Sequence, residues 1–471
     1  MKRKLTTLIA GLAMMAGSFF IAPQAQAQNS NLIYSATRMP QSNLANPALY
    51  PSRNRFYIAL PGVNINFQSP LSFNNIFEYQ QGDTAAFINM NHLLDTLGAN
   101  GNLAFDLDVP VAGVGLDLGK FFLTANVGVK LNSSIGIPVG LSTFLNQGNV
   151  PFRGAGNELY LLDGNLLDAT LYAEAGVAAG LRLTDNLTVG ARFKVMDGYF
   201  NMSTVNTMLR LYTSTGADEL RADINYQLRS AGCIAIDSNN NFSISNYIPN
   251  NYGVGFDLGA RFENDLFDIS ASINDIASTI TWSENVKNIV PSNGEGSFSF
   301  TGLDLTGLIQ NGSMDTSMFN NITDTIMNIV TPSYLEGESY KTHIPTKFNL
   351  SGMVKLGRFR AGALFHGEFD HTIENLDAAN QAIRNNSFHS STSLVGEMNI
   401  ADWVEILASF SVVDDGHKVN WFNPGLGVSV SLGRAIQIYG MMDYISNLRL
   451  VEAKSFNVSL GLNLLLSNTS K

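Results

Sequence analysis

The chain has 471 residues, 45% of them hydrophobic and only 14% charged, with 42 glycines. Its formal net charge of −11 argues against nucleic acid as a partner, because phosphate contacts need an excess of Lys and Arg. A single cysteine, Cys233, excludes an intrachain disulfide framework and a thiolate metal cluster.

Residues 1–27 have the layout of a secretory signal peptide. Lys2, Arg3 and Lys4 precede the apolar run Leu8–Ala22, and Ala25-Gln26-Ala27 is a small-x-small cleavage site. Cleavage there removes three cations and takes the net charge to about −14. Gln28 would then lead the mature chain, where a lipid-anchored protein needs Cys. Beyond the signal no apolar run reaches the roughly 18 residues that a transmembrane helix requires.

Residues 28–54 show no alternation, and Pro40, Pro47 and Pro51 interrupt any regular element. They read either as a flexible leader or as an ordered plug carrying Asn46-Pro47-Ala48. From Arg55 to Phe67 the chain reads as a first strand. Thr84–Leu97 has helical spacing, with Phe87, Met90, Leu94 and Leu97 on one side.

Hairpins with short turns follow. In the first, Ala112–Leu118 returns as Phe121–Leu131. The second is the longest. Its apolar set Leu171, Ala173, Ala175, Val177, Ala179 and Leu181 faces one way; Thr170, Tyr172, Glu174, Gly176, Ala178, Gly180 and Arg182 face the other. Past Thr184-Asp185-Asn186 the returning arm sets Leu187, Val189, Ala191, Phe193 and Val195 against Thr188, Gly190, Arg192 and Lys194. Further hairpins are 252–262 with 267–273, 348–356 with 359–365, 388–400 with 403–413, and 422–432 with 436–442. A last strand covers 456–466. A shorter pair, Ser203–Tyr212 with Ala222–Arg229, either extends above the membrane or adds two strands.

Short turns at one end and long connections at the other are the pattern of an outer-membrane barrel. Six turns join twelve strands, and the first and last strands bring the count to about 14. Between Tyr252 and Phe262, ten residues at about 3.4 Å and a tilt of about 40° rise roughly 26 Å, the height of a lipid-facing apolar band. Trp403, Phe121 and Phe359 lie beside short turns, where an aromatic girdle belongs. The expected fold class is therefore all-β: a transmembrane antiparallel β-barrel over residues 55–467, in the outer membrane, with an N-terminal plug over 28–54 and partly helical extracellular loops.

Asn46-Pro47-Ala48, placed before a first strand within Arg53–Pro70, adds a resemblance. The chain resembles the 14-stranded outer-membrane barrels of the long-chain fatty-acid transporter type. It is similar also to Bacteroidetes barrels, including the shuttle barrel of type IX secretion. The transporter resemblance implies an N-terminal hatch inside the barrel. Many outer-membrane barrels end in an aromatic residue; this chain ends LLLSNTSK, so its insertion signal is expected elsewhere.

The inward face is expected to hold Glu174, Arg182, Arg192, Lys194, Arg261, Lys355, Arg360, His366, Glu368, Glu397 and Glu405, with Arg182 and Arg192 near one another. These groups either pair mutually in a solvated lumen or, for the arginines, receive a ligand carboxylate. The six histidines do not fall into metal spacings, and no nucleophile has a base beside it, so neither catalysis nor a metal or other cofactor is expected. Leu303–Val330, with Met314, Met318, Ile322, Ile326 and Met327 at helical spacing, reads as an outer cap or a greasy docking surface. Two functions fit: passive uptake of a hydrophobic or amphipathic small molecule, or a non-transporting barrel that anchors or shuttles a secreted or surface protein. Outer-membrane lipid is the expected surround in either case.

Overall fold

A computed structural model describes residues 30–51, 54–69, 72, 77–79, 86–88, 101–137, 159–163, 167–213, 220–236, 242–244, 250–292, 296–300, 331–376, 382–414, 419–433, 435–447 and 452–467. The signal peptide and the amphipathic stretch Leu303–Val330 lie outside them.

The chain forms a closed antiparallel barrel of 14 strands. The first strand, β1, is in two pieces, Asn54–Ala59 and Val63–Gln68. Then come β2 (Gly101–Asp117), β3 (Phe121–Ile137), β4 (Leu167–Arg182) and β5 (Leu187–Thr213). The next are β6 (Tyr252–Glu263), β7 (Phe267–Trp282), β8 (Thr346–Leu356) and β9 (Phe359–Leu376). The last are β10 (Ala382–Ala401), β11 (Val404–Asp414), β12 (Val419–Leu432), β13 (Ile436–Asp443) and β14 (Ser455–Ser467). Neighbours in sequence are neighbours in the wall, and β14 pairs with both pieces of β1, with Tyr57 opposite Leu465 and Asn66 opposite Asn457. The wall therefore has no free edge.

The six short turns fall where expected. Gly119 and Gly433 take left-handed backbone there, with φ of 87° and 58°, which a residue without a Cβ adopts freely. The two faces also separate as the alternation requires. Val177, Phe193, Val254, Leu258, Leu394 and Leu426 point outward and are exposed, whereas Glu174, Ala178, Arg192 and Lys194 are buried. Tyr252, Trp403, Phe121 and Phe359 are exposed on the same outer surface. An apolar outer face with polar groups turned inward is the arrangement of a barrel that sits in a membrane. No helix among the described residues is long and apolar enough to cross a membrane.

Three expectations are corrected. The first strand is not continuous: it breaks at Leu60-Pro61-Gly62, because Pro61 has no N–H to give to either neighbour. Within the expected helix Thr84–Leu97, Ala86–Ile88 is a strand paired with Phe77–Tyr79, so local cross-strand pairing overrides helical spacing there; the remainder lies outside the described residues. The long connection expected between the 348–365 and 388–413 hairpins is mostly ladder, since β9 and β10 stay paired up to Leu376 and Ala382.

At the long-loop end, β5 runs on past the barrel and pairs with Leu220–Gly232, which in turn pairs with Lys287–Pro291 and Gly296–Phe300. The shorter pair thus extends the sheet rather than adding wall strands. Inside, two short helices, α1 (Asn31–Ser35) and α2 (Ser42–Ala45), belong to an N-terminal segment whose side chains are largely buried. Leu32, Tyr34, Ala36 and Met39 form one apolar cluster with the inward-facing Met353, Leu364, Val395, Leu407, Tyr439 and Met441.

Candidate functional site

The N-terminal segment is tied to the wall on several sides. Ser30 caps α1 by accepting from the Ile33 N–H at 3.2 Å, and its hydroxyl donates to Asp443 at 2.7 Å. The Leu32 N–H donates to the same carboxylate at 3.1 Å. On β14, Asn463 exchanges two amide hydrogen bonds with Gln41, at 2.7 and 3.0 Å. Tyr34 pairs with the Ser270 hydroxyl at 3.0 Å, and burial pushes its phenol pKa up.

Asn46-Pro47-Ala48 makes a compact turn against β5, β6 and β7. The Ala48 N–H donates to Asn46 Oδ1 at 2.9 Å, an Asx turn. Asn46 Nδ2 donates to the Tyr34 hydroxyl at 3.1 Å and to the Ala271 carbonyl at 3.2 Å. Gly190 makes this approach feasible: a Cβ there would lie 2.3 Å from the Pro47 carbonyl oxygen. Gly259 does the same for Asn46, whose Oδ1 would lie 2.0 Å from a Cβ at that position. Gly190 and Gly259 face each other in the ladder, so the wall offers a row without side chains where the segment lies.

Most of the inward charges are matched; buried Glu405 is an exception, with no hydrogen-bond partner for either carboxylate oxygen among the described residues. Lys130 pairs with Glu174 at 3.0 Å, and Lys194 pairs with Asp257 at 2.7 Å and with Asp275. Arg192 reaches Asp257 at 3.2 Å and also donates to the Leu44 and Asn43 carbonyls, at 2.9 and 2.6 Å. Arg261 holds Asp268 at 2.8 Å, while Arg360 bridges Glu397 at 2.6 Å and Thr37 of the segment at 2.8 Å. Arg182 does not join Arg192, as their nearness on paper suggested. It sits at the short-turn rim on Asp117, at 2.8 and 2.9 Å, with its guanidinium over the Phe122 ring. Arg182 lies opposite Thr188 and Arg192 opposite Ala178, so the two stand at different heights on the same face. His366 is fully buried and its Nδ1 meets Asn349 Oδ1 at 2.7 Å. Lys355 reaches Glu263 at 2.5 Å. Such pairs fix a structure; each named arginine already has a carboxylate, so none stands open for a ligand's.

Asp275 is the partner that alternation does not reveal. It has φ of 60° and Ala277 has φ of 52°, so β7 bulges inward where the two-residue period fails. Asp257 and Asp268 share the inward face with Arg261, which is a signal visible in the sequence.

The break in β1 adjoins a second irregularity. Opposite it, β2 bulges between Pro110 and Ala112, leaving Val111 exposed on the outer surface. Only isolated backbone bonds cross the break: the Leu60 N–H to the Leu462 carbonyl and the Gly62 N–H to the Pro110 carbonyl, at 2.9 and 3.0 Å. On the inner side lies a narrow crevice of about 20 Å³, room for about one water. Pro40, Gln41, Asn43 and Leu44 of the segment line it together with wall residues such as Tyr57, Pro110 and Asn126.

A family described as being of unknown function (DUF5723) matches residues 47–443, from within the Asn46-Pro47-Ala48 turn to the end of β13. The chain belongs to that family. No curated protein matches it in sequence. Among solved structures, the Ralstonia pickettii toluene transporter TbuX is similar at 10% identity over 91% of this chain and 94% of that one, with a TM-score of 0.47. A Pseudomonas aeruginosa FadL homologue is similar at 10% identity over 95% and 100%, with a TM-score of 0.46. The translocator domain of the autotransporter NalP from Neisseria meningitidis follows at 8% over 92% and 99%, with a TM-score of 0.33. In this DUF5723 chain the matched span includes both the wall break and all but the last strand of the barrel.

Proposed function

We propose that this protein is a bacterial outer-membrane barrel for passive uptake of hydrophobic or amphipathic small molecules, with residues 28–54 as its plug. The short turns then face the periplasm and the long loops the exterior. The observation that carries this reading is the break at Leu60-Pro61-Gly62, set between the crevice and the lipid-facing surface. A molecule that wets poorly gains nothing by crossing a lumen packed with ion pairs. It gains by leaving sideways, where the wall is held by two backbone bonds and the outside is apolar.

Locking the wall beside the break tests this. A Cβ at Gly113 would lie 3.2 Å from the Ala59 Cβ, a few tenths of an ångström short of disulfide spacing. In a Cys233→Ser background, Ala59→Cys with Gly113→Cys should slow uptake of a lipophilic fluorescent dye by intact cells about tenfold when oxidised and restore it when reduced. Equal uptake in the oxidised and reduced states of the folded, cross-linked protein overturns lateral exit.

A further inference from the structure

We infer that Tyr439 on β13 determines how bulky a molecule can leave through the wall, because its ring covers the break in β1 from inside. This deepens the uptake reading above and rests on it. The ladder between β1 and β14 runs as far as Ala59 opposite Asn463 and resumes at Val63 opposite Leu460. Between those pairs lie Leu60, Pro61 and Gly62 on one side and Gly461 and Leu462 on the other. Tyr439 stands opposite Gly461 in the ladder of β13 with β14. A Cβ at Gly461 would lie 2.6 Å from Cζ of that ring and 2.8 Å from its Cε1. A Cβ at Gly62 would lie 3.2 Å from its hydroxyl oxygen. The ring therefore lies on Gly461, and its tip reaches Gly62 across the seam. Glycine within a strand marks the close approach of another group, and here two strands make room for one ring.

The crevice inside the break has room for about one water, so nothing of the proposed kind passes unless a side chain moves. Tyr439 is the side chain that can. Its inward neighbours on β13 and β14 are tied. Asn463 donates to Gln437 at 3.0 Å and to Gln41 of the segment at 3.0 Å, and Gln437 donates to Ser429 at 3.0 Å. On the near side of the break, Tyr57 is held in an aromatic cluster with Tyr50 and Phe122. The Tyr439 hydroxyl makes no hydrogen bond among the described residues, although a buried phenol usually finds one. Turning its ring aside breaks no polar contact and bares a stretch of wall whose inner face, at Gly461 and Gly62, has no side chain. Tyr439 also belongs to the apolar cluster that holds Leu32 and Met39 of the segment, so the segment and the cover share one packing unit.

The test uses intact cells carrying the full-length protein and two lipophilic dyes of different girth, N-phenyl-1-naphthylamine and the broader Nile red. Uptake by cells without the protein is subtracted. The readout is the ratio of Nile red to N-phenyl-1-naphthylamine uptake, which the amount of folded barrel leaves unchanged. Tyr439→Ala should raise this ratio about tenfold, with Tyr439→Leu in between. Tyr439→Phe keeps the ring and should match wild type. Either folded small variant suffices. A wild-type ratio in the alanine or leucine variant, or a rise in the phenylalanine variant as large as theirs, overturns the role of the ring and leaves the uptake reading standing. Wild-type cells that take up neither dye above background overturn the uptake reading and this inference with it.

Discussion

Arg192 on the wall and Asn43 in the N-terminal segment, 149 residues apart, are joined twice: Arg192 Nη2 donates to the Asn43 carbonyl at 2.6 Å and to its Oδ1 at 2.7 Å. Nη1 adds the Leu44 carbonyl at 2.9 Å, so one guanidinium gathers the main chain of α2 onto β5. Thr124 of β3 donates to the same Asn43 Oδ1 at 2.8 Å.

Arg192→Met should release the segment. Removing one partner from a buried, hydrogen-bonded ion pair costs about 3 kcal/mol. If that cost falls on local opening, trypsin should cut after Arg38 about a hundredfold faster in folded protein. Arg192→Lys should lie between, because an ammonium cannot serve carbonyl, amide and carboxylate in one plane. Cleavage at the wild-type rate in both variants would show that the segment is held elsewhere.

Gly190→Ala attacks the turn directly. The new Cβ would meet the Pro47 carbonyl oxygen at 2.3 Å and the Ala48 nitrogen at 2.6 Å, main-chain atoms that cannot swing aside. Asn46-Pro47-Ala48 should be displaced while the ladder stays intact. In planar bilayers this variant should show conductance steps absent from wild type, and deletion of residues 30–50 should show larger ones. Silence from both, in protein that remains heat-modifiable, would remove the plug reading.

If the outer face lies in a bilayer, single charges placed at different heights on it should carry different costs. Val177, 61% exposed and six residues from the turn, lies near mid-bilayer, whereas Leu183 borders the turn itself. Val177→Arg should cost about 2–4 kcal/mol and Leu183→Arg about 0–1 kcal/mol. Denaturant titration of the barrel in lipid vesicles measures both. Equal costs would place the outer surface somewhere other than in a bilayer.

Alternation made the wall and its two faces legible in the sequence, because a period of two assigns every strand residue to lipid or lumen. It does not assign height along the barrel. That is why Arg182 and Arg192 looked like neighbours, although Arg182 lies opposite Thr188 and Arg192 opposite Ala178. Where the backbone leaves the period, the reading stops. Asp275 sits on such a bulge, so alternation does not assign it to Lys194. Pro61-Gly62 marks the break in the sequence, but the apolar residues on either side continue the alternation and mask it. The turn at Asn46 was legible from its residues. Its wall partners, the Ala260 carbonyl on β6 and the Ala271 carbonyl on β7, were not, since main-chain carbonyls carry no sequence identity.

The seam between β1 and β14 ties the start of the chain to its end. Ser30 bonds to Asp443 and Gln41 to Asn463, so the beginning of the chain touches strands separated from it by 413 and 422 positions. Neither bond can form before the last two strands have been made and have joined the wall. Contacts of such sequence separation form slowly. A chain that stops before Ser455 would lack more than a strand: Gln41 would lose its amide partner, and two raw edges would face the membrane with nothing to pair them.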